Sequence, residues 1–90
     1  MDVAAAIRDK LTSTLKPVRL EVIDDSAQHE GHAGSRPGGQ SHFRVLIVSA
    51  LFEGLSRVAR QKLVYATLTQ ELAGPVHALS ITARTPDEVA

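Results

Sequence analysis

Hydrophobic residues recur at every fourth position near the start of the chain. The residues with this spacing are Val3, Ile7, Leu11 and Leu15. A helix places such residues along one stripe, so the spacing predicts a helix from about Val3 to Leu15 that lies on a core. Asp2 can cap the start of this helix, and Pro17 prevents its continuation.

Three later segments have the hydrophobic patterns of β-strands. The first has apolar residues at alternate positions, Val18, Leu20 and Val22. The second, from His42 to Ser49, is apolar on nearly both faces, which predicts a central strand. In the third strand, one face is shared by His77, Leu79, Ile81 and Ala83.

The longest helix is predicted from about Arg57 to Leu72, with Ser56 as its cap. Its apolar residues fall within one arc of about 120° on a helical wheel. They are Val58, Val64, Tyr65, Leu68 and Leu72. Arg60, Lys62 and Glu71 lie off this arc, so the helix is predicted to lie on the sheet with these charges turned away from it.

The order helix, strand, strand, helix, strand predicts an α/β protein of the α+β type with one mixed three-stranded sheet. Two strands joined by a loop are most simply antiparallel, whereas a helical crossover sets the second and third strands parallel. His42 and His77 then begin neighbouring strands at the same edge, and the loop that carries His29 and His32 ends there too. Connectivity therefore predicts that four histidines gather at one rim.

Residues 25–41 form a long Gly-rich loop between the first two strands. Hairpin turns ordinarily take about two to five residues, so this length indicates either a function or disorder. Neutral imidazole binds iron, zinc or copper, and a carboxylate such as Asp24 or Asp25 can orient its second nitrogen. Loop histidines are also common as plain solvated residues, and His77 could be a half-buried histidine of the strand face.

Composition narrows the function classes. Ninety residues suffice for one small domain spanning 1–90, and ten basic residues balance ten acidic ones, so no overall positive field attracts nucleic acid or membranes. The chain has no cysteine, which excludes disulfides and any thiolate ligand of its own. With neither a signal peptide nor a membrane span in the sequence, we expect a cytoplasmic protein that is monomeric when alone.

A set of short motifs resembles the BolA family. They are Ser41-His42-Phe43, Phe52-Glu53-Gly54 and Val76-His77-Ala78-Leu79, accompanied by Asp25-Ser26, Tyr65 and Glu71-Leu72. The combination at these intervals is specific, and the resemblance extends from about Val3 to Pro86. It implies a class II KH-like fold with three strands and helices on one face, which agrees with the element order.

The resemblance also implies a function. Members of the family pair with monothiol glutaredoxins and share a [2Fe-2S] cluster, whose thiolates would come from the glutaredoxin and from glutathione. This chain resembles the branch with a loop histidine, so the implied metal ligands are His77 and His29. The loop has extra residues, and His32 lies three positions after His29, so either loop histidine could be the second ligand. The implied protein is a heterodimeric iron–sulfur adaptor.

The alternative function is nucleic-acid binding. In this case the chain would be a KH-like transcriptional regulator, and its partner would be DNA. Arg57, Arg60 and Lys62 could form a basic patch at the start of the long helix. Only Gly54 remains of the GxxG loop with which KH modules clamp a nucleic-acid backbone. No nucleophile and base pair or phosphate-cradling loop is found, so the sequence does not favour an enzyme.

Overall fold

The computed structural model describes residues 2–25 and 41–90. Its elements in chain order are α1 (Val3–Leu15), β1 (Arg19–Asp24), β2 (His42–Val48), a 3₁₀ turn (Ala50–Phe52), α2 (Arg57–Thr67), α3 (Thr69–Ala73), β3 (Ala78–Arg84) and a second 3₁₀ turn (Pro86–Val89). Residues 26–40 of the predicted loop, with His29 and His32, lie outside the described residues. None of the described helices is long and apolar enough to cross a membrane.

Helix α1 begins and ends where the sequence predicts. The carboxylate of Asp2 accepts a hydrogen bond from the Ala5 N–H at 3.1 Å, and so satisfies a backbone donor at the start of the helix. At the other end Lys16 adopts a left-handed conformation with φ of 48°, and Pro17 follows it. The four residues of the predicted stripe are all buried.

The sheet has the order β1-β2-β3. β1 pairs antiparallel with β2, and β2 pairs parallel with β3. Both strand directions are those predicted, and they place His42 opposite Ala78 at the rim of the sheet. β1 begins one residue later than predicted, because Val18 precedes the paired strand and is 72% exposed.

One face of the sheet carries the core. The central strand contributes Phe43, Val45 and Ile47, which pack with the buried stripe of α1 and with Val64 and Leu68. The outer strands add partly buried residues to the same cluster, Leu20, Val22, Leu79 and Ile81. On the opposite face Arg44, Ser80 and Thr82 are exposed. The helices therefore cover one face of a three-stranded mixed sheet, which is the predicted fold class.

The long second helix predicted from Arg57 to Leu72 is divided in two at Leu68. Leu68 leaves helical geometry, with φ of −107° and ψ of 26°. The hydroxyl of Thr67 donates to the Leu63 carbonyl at 2.8 Å, and that of Thr69 donates to the Ala66 carbonyl at 2.8 Å. Such bonds compete with the regular backbone ladder and bend helices, which accounts for the break that periodicity did not reveal.

The buried face of α2 also differs from the predicted arc. Val58 is 61% exposed and Tyr65 is 41% exposed, although both were predicted to pack on the core. The buried face is turned towards Arg60 in α2 and, past the break, towards Glu71 in α3. Each of these charges has an oppositely charged partner, Glu88 for Arg60 and Lys10 for Glu71. Long-range ion pairs thus allow these two charged residues to lie on the buried side, although the helical wheel placed them off the apolar arc.

Arg60 joins three parts of the chain. Its guanidinium donates to the Leu55 carbonyl at 3.0 Å, to the Ala83 carbonyl at 3.2 Å, and to the two carboxylate oxygens of Glu88 at 2.6 and 3.1 Å. The hydrogen bonds from Arg60 and from the Thr85 N–H lower the pKa of Glu88 from 4.5 to about 2. The C-terminal turn is therefore fixed to the edge of β3 by a charged group.

This fixation predicts a pH dependence of stability. An unfolded Glu88 binds its proton near pH 4.5 whereas the folded one binds it near pH 2, so the stabilising effect of Glu88 is complete above pH 4.5 and is lost as the pH falls towards 2. Urea unfolding of the wild type and of Glu88→Gln should give free energies of unfolding that differ at pH 6 and converge at about pH 2. A constant difference across this range would contradict the assignment.

Candidate functional site

The rim at the start of β2 is held by one backbone carbonyl. The Ser41 carbonyl accepts the N–H of His77 at 2.7 Å and the N–H of Ala78 at 3.2 Å. Ser41 itself is fully buried. The main chain at position 77 is therefore tied to β2 one residue before β3 begins.

The turn that leads into His77 is fixed from the opposite side. The Val76 N–H donates to the Glu71 carbonyl at 2.9 Å. The side chain of Glu71 is in turn held by Lys10 of α1, whose Nζ lies 2.6 Å from Oε2, while the buried Oε1 has no hydrogen-bond partner among the described residues. The position of His77 therefore depends on α1 and α3 as well as on β2.

His77 presents its imidazole to solvent. The residue is exposed, so the alternative of a half-buried histidine on a strand face is wrong. His77 precedes β3, and its side chain is not held in the alternation of that strand. In the part of the chain that the structure describes, its ring makes no hydrogen bond or ion pair, and its one ring contact is with His42. An exposed imidazole on a fixed main chain is suited to bind a metal or a partner.

His42 lies beside His77, as the strand connections predict. The ring centroids are 5.4 Å apart, and the ring planes are tilted by 52°. Unlike His77, His42 is only 6% exposed. The two rings share the rim, but only one of them faces outward.

Ser41 and His42 form a hydrogen-bonded pair, which the sequence did not predict. Alternation along a strand would turn their side chains to opposite faces. Ser41 instead lies in a bend before β2, and its hydroxyl is 2.9 Å from His42 Nδ1. Because Ser41 lies in the bend, its side chain does not follow the alternation of β2. The expectation that the two side chains point to opposite faces therefore does not hold here.

The base of the long loop is anchored to the same rim. The Asp25 N–H donates to the His42 carbonyl at 2.7 Å, which extends the β1–β2 pairing by one residue. The Asp25 carboxylate lies 3.3 Å from Nε of Arg44. Asp25 was predicted as a possible partner of an imidazole, but its carboxylate is paired with an arginine instead. Asp25 therefore lies directly beside His42 at the rim.

Comparison with known proteins identifies this arrangement. A family model described as BolA-like protein matches residues 11–88. This chain belongs to the BolA family. The fold agrees with this membership. The BolA domain of SufE1 from Arabidopsis thaliana superposes on this chain with a TM-score of 0.88 at 46% identity, and the match covers 98% of this chain and 96% of that chain.

Two curated relatives illustrate the range of BolA proteins. BolA-like protein 1 of Bos taurus is 56% identical over 84 residues, which are 93% of this chain and 59% of that protein. SufE-like protein 1, chloroplastic/mitochondrial, of Arabidopsis thaliana is 51% identical over 87 residues, which are 92% of this chain and 24% of that protein. The chain thus spans about three fifths, or less, of the length of these two relatives.

The described residues at this rim do not by themselves form a metal site. Within residues 2–25 and 41–90, no group of three or more His, Cys, Asp or Glu side chains could hold a metal ion. The whole chain has no cysteine. A [2Fe-2S] cluster is held by thiolates, with imidazoles replacing some of them in Rieske centres. The exposed His77 therefore fits such a cluster as one ligand, provided that thiolates come from elsewhere.

The two rim histidines should differ in their importance for stability. His77→Ala removes an exposed ring and should change the free energy of unfolding by no more than about 0.5 kcal/mol. His42→Ala removes a buried ring and a buried hydrogen bond and should cost about 1–3 kcal/mol. Urea unfolding measures both values, with Ser80→Ala as an exposed control on β3. Equal losses for the two histidine variants would contradict the described burial.

Proposed function

We propose that this chain is a BolA-like adaptor that pairs with a monothiol glutaredoxin and provides imidazole ligands to a [2Fe-2S] cluster shared between the two proteins. His77 is the first ligand. The second comes from the loop, where His29 and His32 are the candidates. The proposal describes a binding protein and assigns no catalytic residue.

One observation supports the proposal most strongly. His77 exposes its imidazole on a main chain that is fixed by the Ser41 carbonyl, in a chain that has no thiolate. Membership of the BolA family adds the class of partner, since the family resemblance implies glutaredoxin and glutathione as the source of thiolates. When bound, a cluster with mixed imidazole and thiolate ligands has a higher reduction potential than an all-thiolate one.

The residues of this chain have separate tasks in the proposed complex. His77 offers a ring nitrogen from a main chain that is fixed to β2, so its use as a ligand needs no rearrangement of the sheet. Asp25, the last described residue before the loop, is bonded to the His42 carbonyl at the same rim, and the loop histidines are proposed as the source of the second ligand. The compartment stays a prediction: the cytoplasm is expected from the sequence, whereas one plant relative is named as chloroplastic/mitochondrial.

Nucleic-acid binding is not advanced as the function. Of the three residues predicted for a basic patch, Arg60 is engaged by Glu88 and by two carbonyls inside the fold. Arg57 and Lys62 are exposed, but exposed cations on a helix commonly serve only to solvate it. A role for these two residues with DNA stays a prediction.

An anaerobic mixture of this chain with a monothiol glutaredoxin, glutathione, iron and sulfide tests the proposal. The visible circular dichroism spectrum should differ from that of the cluster-bound glutaredoxin alone, because imidazole replaces thiolate at the iron. The isolated chain should hold no iron–sulfur cluster, since it has no cysteine. An unchanged glutaredoxin spectrum at excess of this chain would overturn the proposal.

Substitutions should distinguish the ligands. His77→Ala should abolish the mixed-ligand spectrum and leave the fold intact, while Ser80→Ala on the same strand should retain it. His29→Ala should weaken and shift the spectrum because His32 can replace the lost ring, and the double variant His29→Ala, His32→Ala should match the loss at position 77. If His77→Ala keeps the wild-type spectrum, His77 is not a ligand. If His29→Ala alone equals the double variant, His32 does not substitute.

A further inference from the structure

Ser41 and His42 hold both segments that meet at the rim. The Ser41 carbonyl accepts the N–H groups of His77 and Ala78, and the His42 carbonyl accepts the N–H of Asp25 at 2.7 Å. Both the residue at the base of the loop and the residue before β3 are therefore fixed by the same dipeptide. This explains the main-chain positions at the rim but not the direction of the His77 ring.

The side chain of His42 is suited to fix that direction. The residue is 6% exposed, and its Nδ1 lies 2.9 Å from the buried Ser41 hydroxyl. A buried ring held by a hydrogen bond has one orientation. His42 therefore offers a rigid surface to whatever packs against it.

His77 packs against this surface. The centroid separation of 5.4 Å and the tilt of 52° fall in the range of a tilted aromatic contact. In the described part of the chain, this is the only interaction found for the His77 ring. Without it, an exposed imidazole would sample several rotamers.

We propose that His42 is a positioning residue, whose buried ring, fixed by Ser41, orients the imidazole of His77. The inference rests on the proposed function for the view that this orientation serves metal binding. A residue that orients a metal ligand reduces the conformational freedom that the ligand side chain loses when the metal binds. Removal of such a residue typically lowers metal affinity about 10–100-fold. Ser41 then acts twice, through its carbonyl on the main chain of residue 77 and through its hydroxyl on His42.

Three variants and one control separate a positioning role from a purely structural one. His42→Ala removes the ring, His42→Phe keeps a ring without nitrogens, and Ser41→Ala removes the hydroxyl that holds it. The control is Ser49→Ala at the opposite end of β2, where another buried serine hydroxyl donates to the Leu15 carbonyl at 2.6 Å. This control loses that bond and the one that the hydroxyl accepts from the Leu51 N–H at 3.1 Å, both at the end of β2 away from His77.

The first measurement uses the chain alone, so it does not depend on the cluster. Side-chain NMR relaxation of the His77 ring should show a restricted ring in the wild type, in His42→Phe and in Ser49→Ala. His42→Ala should release the ring, and Ser41→Ala should release it in part. A His77 ring that is equally restricted in His42→Ala and Ser41→Ala would overturn the proposal, and Ser41→Ala alone decides the matter if His42→Ala does not fold.

The second measurement adds monothiol glutaredoxin and glutathione. The concentration of this chain that converts half of the glutaredoxin spectrum to the mixed one should rise about 10–100-fold for His42→Ala and stay near the wild-type value for His42→Phe. If His42→Phe is as severe as His42→Ala while its His77 ring stays restricted, His42 is a ligand and positioning is refuted. If the wild type itself gives no mixed spectrum, the proposed function fails, whereas the NMR result still decides whether His42 orients His77.

Discussion

The parallel pairing of β2 with β3 at the Ser41 carbonyl is the constraint on which the site depends. This carbonyl accepts the His77 and Ala78 N–H groups where the β2–β3 ladder begins. It thereby brings Ser41 and His77, which are 36 positions apart in sequence, to the same rim. Parallel pairing in turn needs the crossover through α2 and α3, which packs because Val64 and Leu68 reach the core. The packing of the core thus determines the position of the exposed His77.

A half-buried charge and a buried one, Arg60 and Glu71, complete this arrangement. Arg60 fixes the C-terminal turn to the edge of β3, and Glu71 fixes the turn before His77 to α1 through Lys10. Both charged residues were predicted to lie off the apolar arc of the helical wheel, yet they lie on the buried side of the crossover. Their partners, Glu88 and Lys10, are distant in sequence, so local periodicity cannot reveal that these charges are paired.

Most of the fold could be predicted from the sequence, because short-range patterns determine it. The stripe of α1, the apolar run of β2 and the helical connection before β3 predicted the element order and both strand directions, and through them the meeting of His42 with His77. The break at Leu68 and the Ser41–His42 hydrogen bond could not be predicted. The first arises from threonine hydroxyls that bond to the backbone, and the second from a bend that ends strand alternation. The loop ligand stays a prediction, since His29 and His32 lie outside the described residues.

The central claim is that this chain supplies only part of a metal site and that a second protein completes it. Native mass spectrometry of the wild-type chain, reconstituted anaerobically with a monothiol glutaredoxin and glutathione, tests this claim most directly. The account predicts a species that contains one copy of each protein, one glutathione and the mass of one [2Fe-2S] cluster. Clusters found only in glutaredoxin dimers, with this chain free of iron at every mixing ratio, would contradict it.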